Sequence, residues 1–150
     1  MKKISPGSET IHASCVAMGG RAVLLCGVSG SGKSDLALRL LDRGAKLVSD
    51  DYTILRRDGD ELTASAPPNI SGKIEVRGVG LVEYPAVTEA PVALCLDLDQ
   101  PPERMPADPL PKRTILGREI PLLALNALEP SAPIKVELAL RLLDSARSRQ

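Results

Sequence analysis

The sequence predicts a single α/β domain built on a mixed β-sheet. The first indication is an apolar run, Arg21–Cys26, that leads through a glycine-rich loop into an amphipathic stretch, Lys33–Arg43. A strand covered on both faces reads as a continuous apolar run of this kind. A second long run, Val92–Leu98, supplies another buried strand. Between the two, from Tyr52 to Tyr84, strands follow one another too closely for helical crossovers, so the sheet is expected to be mixed rather than wholly parallel. The length of 150 residues suits one domain over 1–150, burying roughly 70% of its unfolded surface.

Each element has a local reason. Thr10–Met18 reads as a strand and Gly19-Gly20 as a turn, after an N-terminal stretch of about 1–9 that is expected to be flexible. Lys33–Arg43 places Leu36, Ala37, Leu40 and Leu41 at helical spacing, and Gly44 stands where a left-handed C-terminal cap belongs. Lys46–Ser49 is a short strand that delivers Asp50-Asp51. Tyr52–Arg57 and Glu61–Ser65, divided by Asp58-Gly59-Asp60, predict a hairpin. Lys73–Arg77 and Leu81–Tyr84 are strands around Gly78-Val79-Gly80. Pro101–Pro111 holds five of the 13 prolines, lacks periodicity and is expected to be an exposed, mobile loop. Glu119–Leu125 is a late strand, and Ser131 is placed to N-cap a last helix, Ala132–Arg147.

Composition narrows the function classes. Lys+Arg and Asp+Glu both total 19, which argues against a strongly basic nucleic-acid binder. The aromatic complement is Tyr52 and Tyr84, with no Phe or Trp, so the core must be aliphatic and stacking platforms for single strands are missing. No apolar run approaches the ~18 residues of a membrane span, and no hydrophobic stretch follows the N-terminal lysines as in a secretory signal. A cytoplasmic protein that binds neither nucleic acid nor membrane is the expectation. Cys15, Cys26 and Cys95 form no CxxC pair and read as free thiols. His12-x-x-Cys15 lacks the second pair that a metal site needs.

Gly27-Val28-Ser29-Gly30-Ser31-Gly32-Lys33-Ser34 fits G-x-x-x-x-G-K-[ST], with the required strand before it and helix after it. Glycines let successive N–H groups turn toward phosphate oxygens, and the new helix adds the positive end of its dipole. Lys33 is expected to reach the β- and γ-phosphates and Ser34 to ligate Mg²⁺ through its hydroxyl. A Gly/Ser-rich turn capping a purely structural helix is the competing reading.

Phosphoryl transfer also needs carboxylates, for the metal and for the nucleophile's proton. Two places qualify. Val92-Ala93-Leu94-Cys95-Leu96-Asp97 is the better generic match to an apolar strand ending in a metal-binding Asp, while Asp50-Asp51 follows a shorter, more polar strand. Spacing alone slightly favours Asp97.

A longer pattern bears on this choice. Gly27–Ser34, then Arg43-Gly44-Ala45-Lys46-Leu47-Val48-Ser49-Asp50-Asp51, then Ile74-Glu75-Val76-Arg77-Gly78-Val79-Gly80, resembles the HPr kinase/phosphorylase family. That family joins a P-loop, an aspartate pair and a signature close to I-E-[IV]-R-G-x-G. The resemblance runs from about Thr10 to Val82. It implies a P-loop domain of the phosphoenolpyruvate carboxykinase-like type. It also implies phosphorylation of a serine on HPr, the phosphocarrier of the sugar phosphotransferase system, from ATP or pyrophosphate with Mg²⁺, and the reverse phosphorolysis. By the same resemblance Asp50 is the acid/base and Asp51 its supporting neighbour. Glu75 and Ser34 are the metal-site residues, His12 an active-site histidine and Arg104 a residue of a mobile loop.

Family members commonly carry a further N-terminal domain and a Pro-Gly-Arg-Asn stretch before the last helix. This chain resembles the short, catalytic-domain-only form, and reads Leu128-Glu129-Pro130-Ser131-Ala132-Pro133 there. A homo-oligomer is expected. Two other functions fit the motif: a nucleotide-sensing module without turnover, and a small-molecule P-loop kinase, for which Pro101–Pro111 is a poorly basic lid.

Overall fold

The computed structural model of the chain describes residues 7–148. In chain order the elements are β1 (Ser8–Ile11), β2 (Ala13–Met18), β3 (Arg21–Cys26), α1 (Lys33–Asp42), β4 (Lys46–Ser49), β5 (Thr53–Asp58), β6 (Glu61–Ser65), β7 (Lys73–Val76), β8 (Gly80–Glu83), β9 (Glu89–Asp97), β10 (Lys112–Ile115), β11 (Arg118–Ala124) and α2 (Ala132–Ser148). The mixed sheet runs β1-β5-β6-β9-β3-β2-β4, with β11 also on β9 and β10 on β11, while β7 and β8 form a separate hairpin.

β9 organises this arrangement. It pairs in parallel with β3 from Ala22↔Val92 to Cys26↔Asp97, and with β11 at Leu122↔Cys95 to Ala124↔Asp97. Its first residues instead pair antiparallel with β6, through Thr63↔Pro91 to Ser65↔Glu89. One long strand therefore serves both a parallel and an antiparallel part, which accounts for the mixed character.

The alternation of a strand explains why the apolar runs are continuous. Val23, Leu25, Leu94 and Leu96 pack with Leu36, Leu40, Val136 and Leu140 of the two helices. Leu24 and Cys95 point the other way, into a second cluster with Leu55, Leu62, Ile115 and Ile120. Both faces are covered, and the largest fully buried side chains are Leu, Ile and Val.

Three expectations change. The run read as one strand, Thr10–Met18, breaks at His12, because β1 pairs with β5 whereas β2 pairs with β3 and β4. Of the stretch 1–9 expected to be flexible, residues 1–6 lie outside the described residues, and Ser8 and Glu9 are paired with Arg56 and Leu55. β10 is an addition, turning into β11 through Leu116 and Gly117, both with positive φ. Elsewhere the turns fall where read, with Gly44 at φ 107 after α1 and the segment 101–111 forming an exposed connection. Among the described residues no helix is long and apolar enough to cross a membrane.

Leu96 is fully buried at the centre of this sheet. Leu96→Ala should cost about 2–5 kcal/mol of unfolding free energy in a denaturant titration. A loss below about 1 kcal/mol would mean that the site collapses around the missing atoms.

Candidate active site

The loop from Gly27 to Gly32 leaves the end of β3 and runs directly into α1. A β-carbon on Gly27 would stand 2.5 Å from Ser31 Oγ and 3.2 Å from an Asp99 carboxylate oxygen, so the curl leaves room only for glycine. Gly30 and Gly32 hold positive φ of 87° and 96°. The Val28 N–H donates to both oxygens of Asp99, each at 3.1 Å. Lys33, only 6% exposed, donates from Nζ to the carbonyls of Gly27 at 2.6 Å and Val28 at 3.2 Å. Its cation is thereby held across the mouth of the loop. Ser31 Oγ is buried without a hydrogen-bond partner.

Asp50, at the end of β4, is buried and accepts three hydrogen bonds. Ser14 Oγ reaches its Oδ1 at 3.2 Å, Ser34 Oγ the same oxygen at 3.0 Å, and the Glu75 N–H its Oδ2 at 3.0 Å. All three neighbours donate, so the carboxylate is held as an acceptor between β2, the first turn of α1 and β7. The backbone then twists through Asp51, at φ 68, a left-handed conformation that costs a non-glycine residue roughly 1–2 kcal/mol. The Asp51 N–H is secured on Ser14 Oγ at 3.0 Å, and its side chain meets His12 Nε2 at 2.8 Å. The imidazole in turn stacks on Tyr52, with ring centroids 5.1 Å apart.

A cleft of about 550 Å³ opens above these groups, with Lys33, Ser34, Asp50, Asp51, Glu75 and Arg77 on its walls. Ser29, Gly30 and Gly32 line it as well, whereas Gly27, Val28 and Ser31 belong to the loop without lining the cleft. His12 is connected to it through Asp51. Arg104 lies in the exposed segment between β9 and β10 and is not among the residues that line the cleft. Asp97 is not on the cleft either; its Oδ1 accepts the Asp99 N–H within its own turn.

Sequence reasoning missed some of the parts. Ser14 stands out only as a polar residue inside an apolar strand. Leu128 on the rim carries no chemical signal at all. It is placed there because Arg39 of α1 donates to the carbonyls of Ala127 and of Glu129, the latter at 3.0 Å.

Strand, glycine-rich loop and helix beside a carboxylate pair and a glutamate define an α/β domain with a site suited to a phosphorylated ligand. Comparison with known proteins narrows this. Residues 3–121 match the HPr Serine kinase C-terminal domain, and the chain belongs to that family. The HPr kinase/phosphorylase of Caldanaerobacter subterraneus is 46% identical over 83 residues, which cover 55% of this chain and 27% of that protein. The HPr kinase/phosphorylase of Chlorobium chlorochromatii is 37% identical over 134 residues, 80% of this chain and 40% of that one. The chain thus spans well under half the length of these curated relatives. Among solved structures, the Hpr(Ser) kinase/phosphatase from Coxiella burnetii superposes with a TM-score of 0.80 at 30% identity, covering 93% of this chain and 99% of that one.

Ser14 both donates to Asp50 and accepts from Asp51, and it is fully buried. Ser14→Ala should destabilise the fold by about 1–3 kcal/mol, the usual cost of orphaning buried partners. Equal unfolding midpoints for variant and wild type would show that water replaces the hydroxyl.

Proposed function

We propose that this chain transfers a phosphoryl group from ATP to a serine hydroxyl of an HPr-type phosphocarrier, with Mg²⁺, and that the same site runs the reverse phosphorolysis. The observation that supports this most is the hydrogen bond from Ser34 to Asp50, which joins the glycine-rich loop to the aspartate pair in the cleft that Lys33 and Glu75 also line. Family membership and the relatives' names point the same way.

The residues fit the ligands. Gly30 and Gly32, at positive φ on the wall of the cleft beside Lys33, suit a loop that turns its amides toward an anion. Ser34 and Glu75 offer the oxygen donors that Mg²⁺ selects. Bound there, Mg²⁺ supplies positive charge against the phosphate oxygens.

The chemistry of the chain's own groups follows from their positions. A serine hydroxyl is a poor nucleophile until its proton has somewhere to go. Its oxygen forms a bond to the γ-phosphorus, the bond from that phosphorus to ADP breaks, and the proton passes to Asp50. Lys33 brings a fixed cation to the phosphates, and Asp51 with His12 keeps the turn behind Asp50 in place. In the reverse direction the protonated Asp50 donates to the departing serine oxygen while inorganic phosphate attacks, so that pyrophosphate leaves. Pyrophosphate is by the same chemistry an alternative donor.

The direct test is incubation with purified HPr-type carriers, Mg²⁺ and ATP, with the serine phosphate read by mass. Nucleotide binding without transfer to any carrier would overturn the reading. Asp50→Asn should leave Mg²⁺-nucleotide affinity within a few-fold and cut transfer by ~10²–10⁴, the usual worth of a general acid/base. Asp97→Asn is the matched control and should leave turnover unchanged; the opposite pattern would move the acid/base role to Asp97. Lys33→Ala should abolish nucleotide-dependent transfer while the chain still folds. Unchanged transfer in that variant would place the active site away from the loop.

A further inference from the structure

A second group of side chains lies just beneath the glycine-rich loop. Cys26 is the last residue of β3 and directly precedes Gly27. It pairs with Asp97 of β9, and Cys95 pairs with Leu24, so the two cysteines are diagonal neighbours on adjoining strands. The strand period puts both on one face of the sheet, and their sulfurs are 3.4 Å apart. Arg113, carried there by β10, approaches both, with Nη1 3.3 Å from Cys26 Sγ and 3.6 Å from Cys95 Sγ. Cys15 is fully buried on β2, and burial pushes its thiol up, out of the reactive range.

Two thiols in contact beside a guanidinium are chemically unlike isolated buried cysteines. The hydrogen bond from Cys26 and the positive charge of Arg113 together hold the Cys95 thiol below its ordinary value despite its burial, and Cys26 moves up because it keeps the shared proton. The nucleophile of thiol chemistry is the thiolate, and two touching thiols beside a guanidinium can share one proton and so present it. Cys95 is buried, whereas Cys26 is only partly buried.

We propose that Cys26 and Cys95 form a redox-active dithiol that a peroxide closes to a disulfide, and that closure disables the glycine-rich loop for nucleotide. The control arm rests on the reading of that loop as the nucleotide site. The chemistry balances with peroxide as the oxidant. The thiolate attacks one peroxide oxygen, the O–O bond breaks, a sulfenic acid forms, and the leaving hydroxide takes up the proton that this attacking thiol had released, as water. The second thiol then displaces the sulfenic hydroxyl, which leaves as water with that thiol's proton, and the S–S bond forms. Two thiols are oxidised, and one peroxide is reduced to two waters. Thioredoxin-class dithiols reverse it by exchange.

The mechanical consequence follows from position. A disulfide needs its sulfurs about 2.05 Å apart, much closer than the 3.4 Å at which they stand, and closing that gap across the diagonal is expected to draw the end of β3 toward β9. Gly27 is the next residue, already against Ser31, and the Asp99 carboxylate that holds the Val28 N–H is anchored just past the end of β9. Drawing the two strand ends together compresses the loop between them.

The test uses the full chain, reduced and then titrated with hydrogen peroxide, and reads two quantities. Under non-reducing conditions the oxidised chain should be lighter by two hydrogens and yield a linked peptide containing Cys26 and Cys95, with Cys15 still free. Cys15→Ser should still form the link, while Cys26→Ser and Cys95→Ala should not. Arg113→Met should slow oxidation by about tenfold, because the thiolate fraction falls. Absence of the linked peptide in a folded, peroxide-treated chain overturns the dithiol. Affinity for a fluorescent ATP analogue should fall by about tenfold or more on oxidation and return on reduction, since misplaced loop amides no longer meet the phosphates. A linked chain that binds as tightly as the reduced one overturns the control. A reduced chain that binds no nucleotide overturns the reading of the loop instead, and the linked peptide then decides the dithiol alone.

Discussion

The buried Asp50 carboxylate is the constraint on which the rest of the site depends. A charge taken out of water must be met by donors, or it costs several kcal/mol. Here the donors come from Ser14 on β2, Ser34 at the start of α1 and the Glu75 backbone on β7. These segments are far apart in the chain and belong to different parts of the architecture. Satisfying one carboxylate therefore fixes the relative placement of β2, the helix that follows the glycine-rich loop and a hairpin outside the main sheet. The cleft is the space left between them. Asp51 inherits its place from the same arrangement, since Ser14 holds its N–H while the backbone passes through a left-handed turn.

β9 contributes differently. It carries the parallel and antiparallel parts of the sheet on one strand, and its last residue, Asp97, accepts the N–H of Asp99, whose carboxylate meets the loop. The loop is thus braced from two directions, by Lys33 across its mouth and by Asp99 at its first free amide. The aliphatic core behind it, without Phe or Trp, relies on interlocking Leu, Ile and Val on both faces.

Much of this was legible in the sequence because the signals are local. The runs Arg21–Cys26 and Val92–Leu98 are apolar at every position since both faces are covered, and the hairpin around Asp58-Gly59-Asp60 announces itself by turn chemistry. Gly27–Ser34 and the carboxylates Asp50, Asp51 and Glu75 were readable as chemistry, through motif spacing and family resemblance. What stayed hidden depends on tertiary partners. The break at His12 arises because two halves of one apolar stretch pair with different strands. β10 has one buried apolar residue, Ile115, and exists through its pairing with β11. Ser14 looks like an ordinary strand residue until Asp50 is folded against it. Arg104 rests on resemblance in a stretch without periodicity, and it does not line the cleft.

The stacking of Tyr52 on His12 has an optical consequence. With no Trp in the chain, excitation cannot drain to indole, and all intrinsic near-ultraviolet emission belongs to two phenols. Tyr84 packs against the aliphatic core, whereas Tyr52 is half exposed and lies against the imidazole that contacts Asp51. Anything that alters the charge or orientation of that imidazole changes the surroundings of one chromophore and not the other. The protein therefore carries its own spectroscopic reporter at the edge of the cleft, with a core tyrosine as the internal reference.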